Sequence, residues 1–149
     1  MKKISWVTHP QYDIPLPKNH KFTSSKFSDL LSELEKSGLS EYANIFYPEK
    51  DAIIDLLKVH DSNYIDKILY GTLDPAEERR LGLKWSPELS NRSFLAVNGT
   101  LLTAKLAMKE GIACHVAGGT HHSHFDFGSG YCVFNDLAYT SRSLIENKI

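Results

Sequence analysis

A loop near the carboxyl end of the chain concentrates the residues best able to do chemistry. Residues 118–130 contain three of the seven histidines and four of the nine glycines in the sequence. Glycine tolerates positive φ and lets backbone approach a ligand closely, so glycines on both sides of the histidines allow a tight, pre-shaped wall. The loop follows a compact apolar run over 112–117 that predicts a buried strand. Because ligands of parallel α/β sheets bind beyond such strand ends, a site is predicted here.

The histidines of this loop admit more than one chemical interpretation. Neutral imidazole is a common zinc ligand, but adjacent side chains of an extended segment point to opposite sides, and Asp126 alone adds a carboxylate at a usual ligand spacing. Acid–base chemistry is the second interpretation, because a group with an ordinary pKa of about 6.5 can both accept and donate a proton near neutrality. His121 and His122 would then activate water and protonate a leaving amine. A third interpretation, surface histidines without a role, stays open on composition alone.

The elements that must position this loop are predicted from hydrophobic periodicity and stop signals. Helical spacing appears in four places before the loop and in one after it, namely from 23–25 to Gly38, over 51–59, over 61–70, over 86–110 and over 135–147. Residues 4–7 and 112–117 are predicted strands, and the polar segment 72–85 is predicted to be a surface excursion. Strands alternating with helices indicate an α/β fold with a parallel sheet. Two strands are fewer than the about four to six usual in a sheet, so the sheet is expected to be incomplete.

Composition excludes several classes of partner. Lys plus Arg number 17 against 18 Asp plus Glu, so no net field attracts nucleic acid or an anionic membrane directly. The apolar run at 4–7 is too short for a signal peptide or a membrane span, which predicts a cytoplasmic protein. Cys114 and Cys132 lack the number and spacing of a disulfide framework, and both are predicted to be reduced and buried.

The histidine loop resembles a known active-site signature. The residues GGTHH at 118–122, then Asp126, GSGYC at 128–132 and ND at 135–136, resemble the signature of the superfamily of histone deacetylases, acetoin-utilisation proteins and acetylpolyamine amidohydrolases. PLPKNHKF at 15–22 and VHD at 59–61 are similar to other segments of its bacterial or class IV-like members. The resemblance spans nearly the whole chain and is strongest over 86–138. It implies that 1–149 is the N-terminal portion of a single deacetylase domain, without a second domain, and part of an arginase-like three-layer α/β fold.

The resemblance also implies roles for individual residues. His121 and His122 would be the family's catalytic histidine pair. Gly130 would offer its carbonyl to the substrate amide N–H, and Tyr131 would form one aromatic side of an acetyl-lysine channel. Lys21 stands where many relatives have an arginine beside an internal channel, and an ammonium lacks the planar fork of donors of a guanidinium. Positions that shape the loop and its surroundings would be Thr120, Asp126, Cys132, Asn135 and Asp136.

Zinc-dependent hydrolysis of an N-acetyl amide, with acetyl-lysine or another acetylated amine as substrate, is the activity that the resemblance implies. The family's zinc ligands would lie beyond Ile149, so we expect no metal ligand within these 149 residues and no deacetylase activity from them alone. One alternative is a truncated, non-catalytic remnant or a partner-dependent module that associates through its incomplete sheet. Another is a deacetylase of small acetylated amines such as polyamines.

Overall fold

The computed structural model describes residues 3–23, 25–50 and 53–146, with the side chains of Ile53 and Ile54 left out. Its helices and strands, in chain order, are β1 (Ile4–Val7), α1 (Lys26–Lys36), β2 (Ala43–Phe46), α2 (Ile53–Leu56), α3 (Ser62–Tyr70), α4 (Pro75–Leu81), α5 (Pro87–Glu110), β3 (Ala113–His115) and α6 (Asp136–Glu146). Short 3-10 turns lie at Pro10–Tyr12 and Leu39–Tyr42. Positions 24, 51, 52 and 147, which fall within the predicted helical segments, lie outside the described residues.

The sheet confirms the predicted α/β class. Its order within the described residues is β2-β1-β3, and β1 pairs in parallel with both neighbours, with Val7 opposite Phe46 on one side and His115 on the other. The strand β2 was not predicted, because its four residues include Ala43 and Asn44 and show no strong alternation. The predicted buried strand over 112–117 is wrong in its burial, since β3 has three residues and its central Cys114 is exposed. The prediction of two buried thiols therefore holds for Cys132 alone.

The segment 72–85 is more ordered than a surface excursion. Asp74 accepts hydrogen bonds from Ala76 N and Glu77 N, while the Glu77 side chain accepts from Asp74 N, which completes a capping box for α4. Gly82 ends the helix in the left-handed region, at φ 81°. Leu81 and Leu83 are buried in the core, so the segment contains a helix that packs against the core. The charged residues of the segment gave no indication of this helix.

The long helix α5 is the element around which the site is built. It packs against β1, β3 and α6, and its buried face includes Leu89, Phe94 and Val97. These side chains join a core that also contains Ile65, Ile68, Leu83, Val133, Phe134 and Tyr139. Burial of a large apolar side chain contributes about 1.5–3 kcal/mol, so this core fixes residues 133–139 firmly against α5. In the described part of the chain, no helix has both the length and the hydropathy needed to cross a membrane.

Candidate active site

The histidine loop is held in place by a buried histidine at the start of α3. The backbone N–H of Asn135 donates to His60 Nε2 at 3.0 Å, so the proton of the neutral ring sits on Nδ1 and is donated to Phe125 O at 3.2 Å. Burial lowers the pKa of His60, in agreement with a neutral ring. Ser123 and Tyr64 both donate to Val133 O at 2.7 Å. His60 thus links Phe125 in the loop to Asn135 after it, and the bonds to Val133 O attach the loop to the core.

His121 and His122 lie side by side. Their ring centroids are 4.2 Å apart and the rings are inclined by 38°. The expectation that an extended backbone would point them to opposite sides is therefore wrong. Gly130 explains the close fit, because a Cβ built on it would lie 3.2 Å from three atoms of His122, and its φ is 55°. His121 Nδ1 lies 2.8 Å from Gly119 O, which can only accept, so Nδ1 carries a proton.

The histidine pair opens onto a cavity of about 250 Å³. Six of the predicted site residues line it, namely Thr120, His121, His122, Gly130, Tyr131 and Cys132. Asn135 and Asp136 lie behind this wall, where Asn135 Nδ2 donates to Ser123 O at 3.2 Å and Asp136 is fully buried. Lys21 and Asp126 are exposed and do not line the cavity. The structure thus brings most of the predicted set to one place, with Lys21 and Asp126 outside it.

Two cations of this cavity were missed by the sequence reasoning. Lys26 Nζ lies 4.2 Å from the centroid of the Phe22 ring, and the guanidinium carbon of Arg92 lies 4.8 Å from that of Phe27. Arg92 is 3% exposed, and burial lowers its pKa. Burial, followed by repulsion from Arg92, lowers the pKa of Lys26. Neither residue was assigned a site role from the sequence, because a charged residue on a helix usually faces solvent. The role becomes visible only in the structure, where both cations pack against the rings of Phe22 and Phe27.

A partly buried histidine below the cavity has no role in the sequence prediction. His115, the last residue of β3, lies with Nε2 at 2.8 Å from Tyr12 Oη and Nδ1 at 2.9 Å from Thr100 Oγ1. Desolvation by burial, followed by repulsion from Arg92, lowers the pKa of His115 to about 4. The ring is therefore neutral in the folded protein at pH 7.

Acid is expected to destabilise the protein through this histidine. The folded state holds His115 neutral, while the unfolded chain protonates it with an ordinary pKa of about 6.5. The unfolded state thus binds the extra proton, and stability falls as the pH drops from about 6.5 to about 4, by about 3 kcal/mol from this residue. Urea unfolding at a series of pH values measures the effect. His115→Gln should reduce the slope in this window, and the slope that remains is expected from His60, whose pKa burial also lowers. A slope in His115→Gln equal to that of the wild type would contradict the assignment.

The described residues lack the donor set of a metal site. They contain no group of three or more His, Cys, Asp or Glu side chains placed to hold a metal ion. The donor set of the cavity therefore does not fit a resident metal by itself, and the chemistry open to His121 and His122 is to hold and move protons.

Comparison with known proteins bears on this geometry. Residues 20–149 match the histone deacetylase domain. The chain is 41% identical over 138 residues to an uncharacterized protein of Picosynechococcus sp., covering 93% of this chain and 46% of that protein. It is 31% identical over 147 residues to Histone deacetylase 2 of Arabidopsis thaliana, covering 93% and 38%, and 26% identical over 135 residues to the acetoin utilization protein AcuC of Staphylococcus aureus, covering 84% and 35%.

The matched region covers most of this chain but only part of each relative. The chain spans less than half the length of these curated relatives. Yet the matched domain includes α1 to α6 and the whole histidine loop, so the cavity described above lies entirely within it. The chain belongs to the histone deacetylase family.

Proposed function

We propose that this chain supplies the histidine pair of a metal-dependent deacetylase that hydrolyses an N-acetyl amide such as acetyl-lysine. The observation that carries the proposal is the adjacency of His121 and His122 at the wall of a cavity, in a chain of the histone deacetylase family. Two imidazoles in contact can divide the two proton transfers of amide hydrolysis, one taking a proton from water and the other giving one to the leaving amine. The structure supports this pairing without assigning the two steps.

Hydrogen bonding prepares His121 for one of these steps. Its Nδ1 proton is donated to Gly119 O, so the neutral ring presents Nε2 as an unprotonated base. The ring is exposed at the cavity wall, where water and a substrate amide can reach it. His122 stands next to it, against the Gly130 backbone. The pair is thus fixed by backbone contacts on both sides, which lowers the cost of orienting it for reaction.

The lining of the cavity supports a neutral acylated chain as substrate. Tyr131 packs on Phe22 with ring centroids 5.5 Å apart, which forms an aromatic wall suited to an aliphatic linker. Lys26 and Arg92 add positive charge, and no carboxylate belongs to the described lining residues. A protonated amine is repelled by such a lining, whereas an acetylated amine carries no charge. The side chain of acetyl-lysine meets this condition, whereas a mono-acetylated polyamine keeps its other ammonium groups and meets the condition only at its acetylated end.

Zinc dependence is part of the proposal. Histone deacetylase family members are typically zinc-dependent, and the described residues of this chain form no metal site. We propose that the metal ligands are contributed by residues outside those that the structure describes.

Release of acetate from an acetyl-lysine peptide tests this function in the native protein that contains these residues. We expect turnover that is lost after dialysis against a chelator and restored by Zn²⁺. An acetylated polyamine run in parallel identifies the class of substrate, because the preferred compound has the higher kcat/KM. Activity that survives complete metal removal, or no hydrolysis of either compound by the metal-loaded native protein, would refute the proposal.

A further inference from the structure

One cation of the histidine cavity is buried without a compensating anion. Arg92 lies on α5 with 3% of its surface exposed, and it lines the same cavity as His121 and His122. Its Nε atom is buried and has no hydrogen-bond partner among the described residues, and none of the ion pairs in that part of the chain includes Arg92. A buried charge without a partner is costly, and a guanidinium keeps its proton in spite of that cost. The cavity is therefore expected to attract an anion.

The acidic residues around Arg92 do not supply this anion. Burial lowers the pKa of Arg92, and the negative charges of Asp13 and Asp136 offset this effect only in part. Both carboxylates already accept hydrogen bonds from other groups. The ring of Phe27 lies against the guanidinium, with its centroid 4.8 Å from the guanidinium carbon. A ring attracts the cation but does not accept its in-plane N–H groups, which are the donors that match a carboxylate.

A second cation and a wall of small residues complete this end of the cavity. Lys26 lines the same cavity, and no carboxylate belongs to the described lining residues. Ala117, Gly118 and Gly119 add almost no side-chain volume to the wall, and the cavity reaches about 250 Å³. One water occupies about 30 Å³ in the liquid. The cavity thus has more room than the methyl group of an acetyl amide fills, and its lining is positive.

We propose that the cavity binds an acyl group that ends in a carboxylate, such as the succinyl group of succinyl-lysine, with Arg92 and Lys26 holding that carboxylate and the amide lying at the histidine pair. The proposal rests on the function proposed above and names the substrate class of that site. An acetyl group carries no charge and leaves Arg92 without a partner, whereas a dicarboxylic acyl group supplies the missing anion. Hydrolysis needs only water. The hydroxyl of water bonds to the acyl carbon, the amide C–N bond breaks, and the proton goes to the leaving nitrogen, which gives lysine and succinate.

The test compares two peptides in the native, metal-loaded protein that contains these residues. One peptide carries succinyl-lysine, and the other carries its neutral isostere succinamoyl-lysine, in which a carboxamide replaces the carboxylate. We expect kcat/KM to be about tenfold to 100-fold higher for the succinyl peptide, as a hydrogen bond between charged groups implies. Arg92→Met removes the charge at similar length and should bring this ratio close to one. Arg92→Lys keeps the charge and should retain part of the preference.

The matched control is Arg80→Met. Arg80 also lies over a phenylalanine ring, with its guanidinium carbon 4.1 Å from the centroid of Phe127, but it is exposed and does not line the cavity. Its substitution should leave the ratio unchanged. If Arg92→Met does not fold, Lys26→Met, at an exposed position of the same cavity, should lower the ratio in the same direction. A wild-type ratio near one, or a ratio that the folded variant keeps, would overturn the proposal.

A carboxylate at Arg92 has a second source, which is acetate released by hydrolysis. That source predicts inhibition by acetate that weakens in Arg92→Met, together with a wild-type ratio near one, and this result would also overturn the proposal. Hydrolysis of acetyl-lysine without a preference for succinyl over succinamoyl rejects this inference and keeps the proposed function. If no peptide is hydrolysed, the proposed function fails, and calorimetric titration with the same two peptides decides the inference. Tighter binding of the succinyl peptide that is lost in Arg92→Met supports it, and equal binding overturns it.

Discussion

His121→Ala is expected to lower kcat/KM for acetyl-amide hydrolysis by about 100-fold to 10,000-fold in the native, metal-loaded protein, the range that a positioned acid–base group supplies. The ring presents an unprotonated Nε2 at the cavity wall and its Nδ1 proton is committed to Gly119 O. Alanine removes that base and leaves the aromatic wall at Tyr131 and Phe22 in place. The loss should therefore fall mainly on kcat, with a small effect on KM. Steady-state kinetics with an acetyl-lysine peptide measure both.

The control for this variant lies in the same loop. His124 is exposed, stacks on Phe127 with centroids 4.4 Å apart, and does not line the cavity. His124→Ala should keep kcat within about twofold of the wild type, because a substitution at an exposed position away from the cavity and the core perturbs the protein little. Equal losses in the two variants would assign the defect to the fold of the loop instead of to proton transfer. A normal kcat in His121→Ala would remove this residue from the proposed mechanism.

Most of the predicted site residues were implied by the family resemblance of one contiguous stretch. Within residues 118–136, the structure places His121, His122, Gly130 and Tyr131 around one cavity, and their roles stay predictions. A contiguous motif does not indicate which residues from other parts of the chain line the same cavity. Lys26 and Arg92 come from α1 and α5, and their approach depends on how those helices cross the loop. Lys21, chosen by resemblance, is exposed and lies outside the lining.

Long periodic segments were predicted with accurate bounds, and the described elements that were not predicted are β2 and α4. The helix α5 runs over 24 residues with Ser86 as its N-cap and Gly111 at its end, and its bounds match the prediction within one residue. The strands β1 and β3 fall within runs that were predicted to be strands, whereas β2, with Ala43 and Asn44 among its four residues, contains no such run. The contacts of His115 with Tyr12 and Thr100 follow from its place between α5 and β1, which a three-residue strand in the sequence does not indicate.

Gly99→Ala is expected to destabilise the protein by about 2–4 kcal/mol, although alanine favours a helix by about 1 kcal/mol. The added Cβ would meet Tyr12 Oη and His115 Nε2, so the helix α5 must move away from both or their hydrogen bond must break. Overpacking costs about 1–3 kcal/mol, and a buried polar group left without its partner costs about the same. Urea unfolding at pH 7 measures the change in free energy. Gly38→Ala is the control, because no atom lies within 4 Å of its Cβ position and only its φ of 76° opposes the change.

A double-mutant cycle separates the steric cause from a general weakening of α5. In a Tyr12→Phe background the hydroxyl that the new Cβ meets is absent, so Gly99→Ala should cost less there by about 1 kcal/mol or more. Equal costs in the two backgrounds would show that Tyr12 is not what excludes a side chain at 99. A smaller cost would show that the Tyr12 hydroxyl, which lies 2.8 Å from His115 Nε2 below the cavity, is one of the groups that exclude a side chain at position 99.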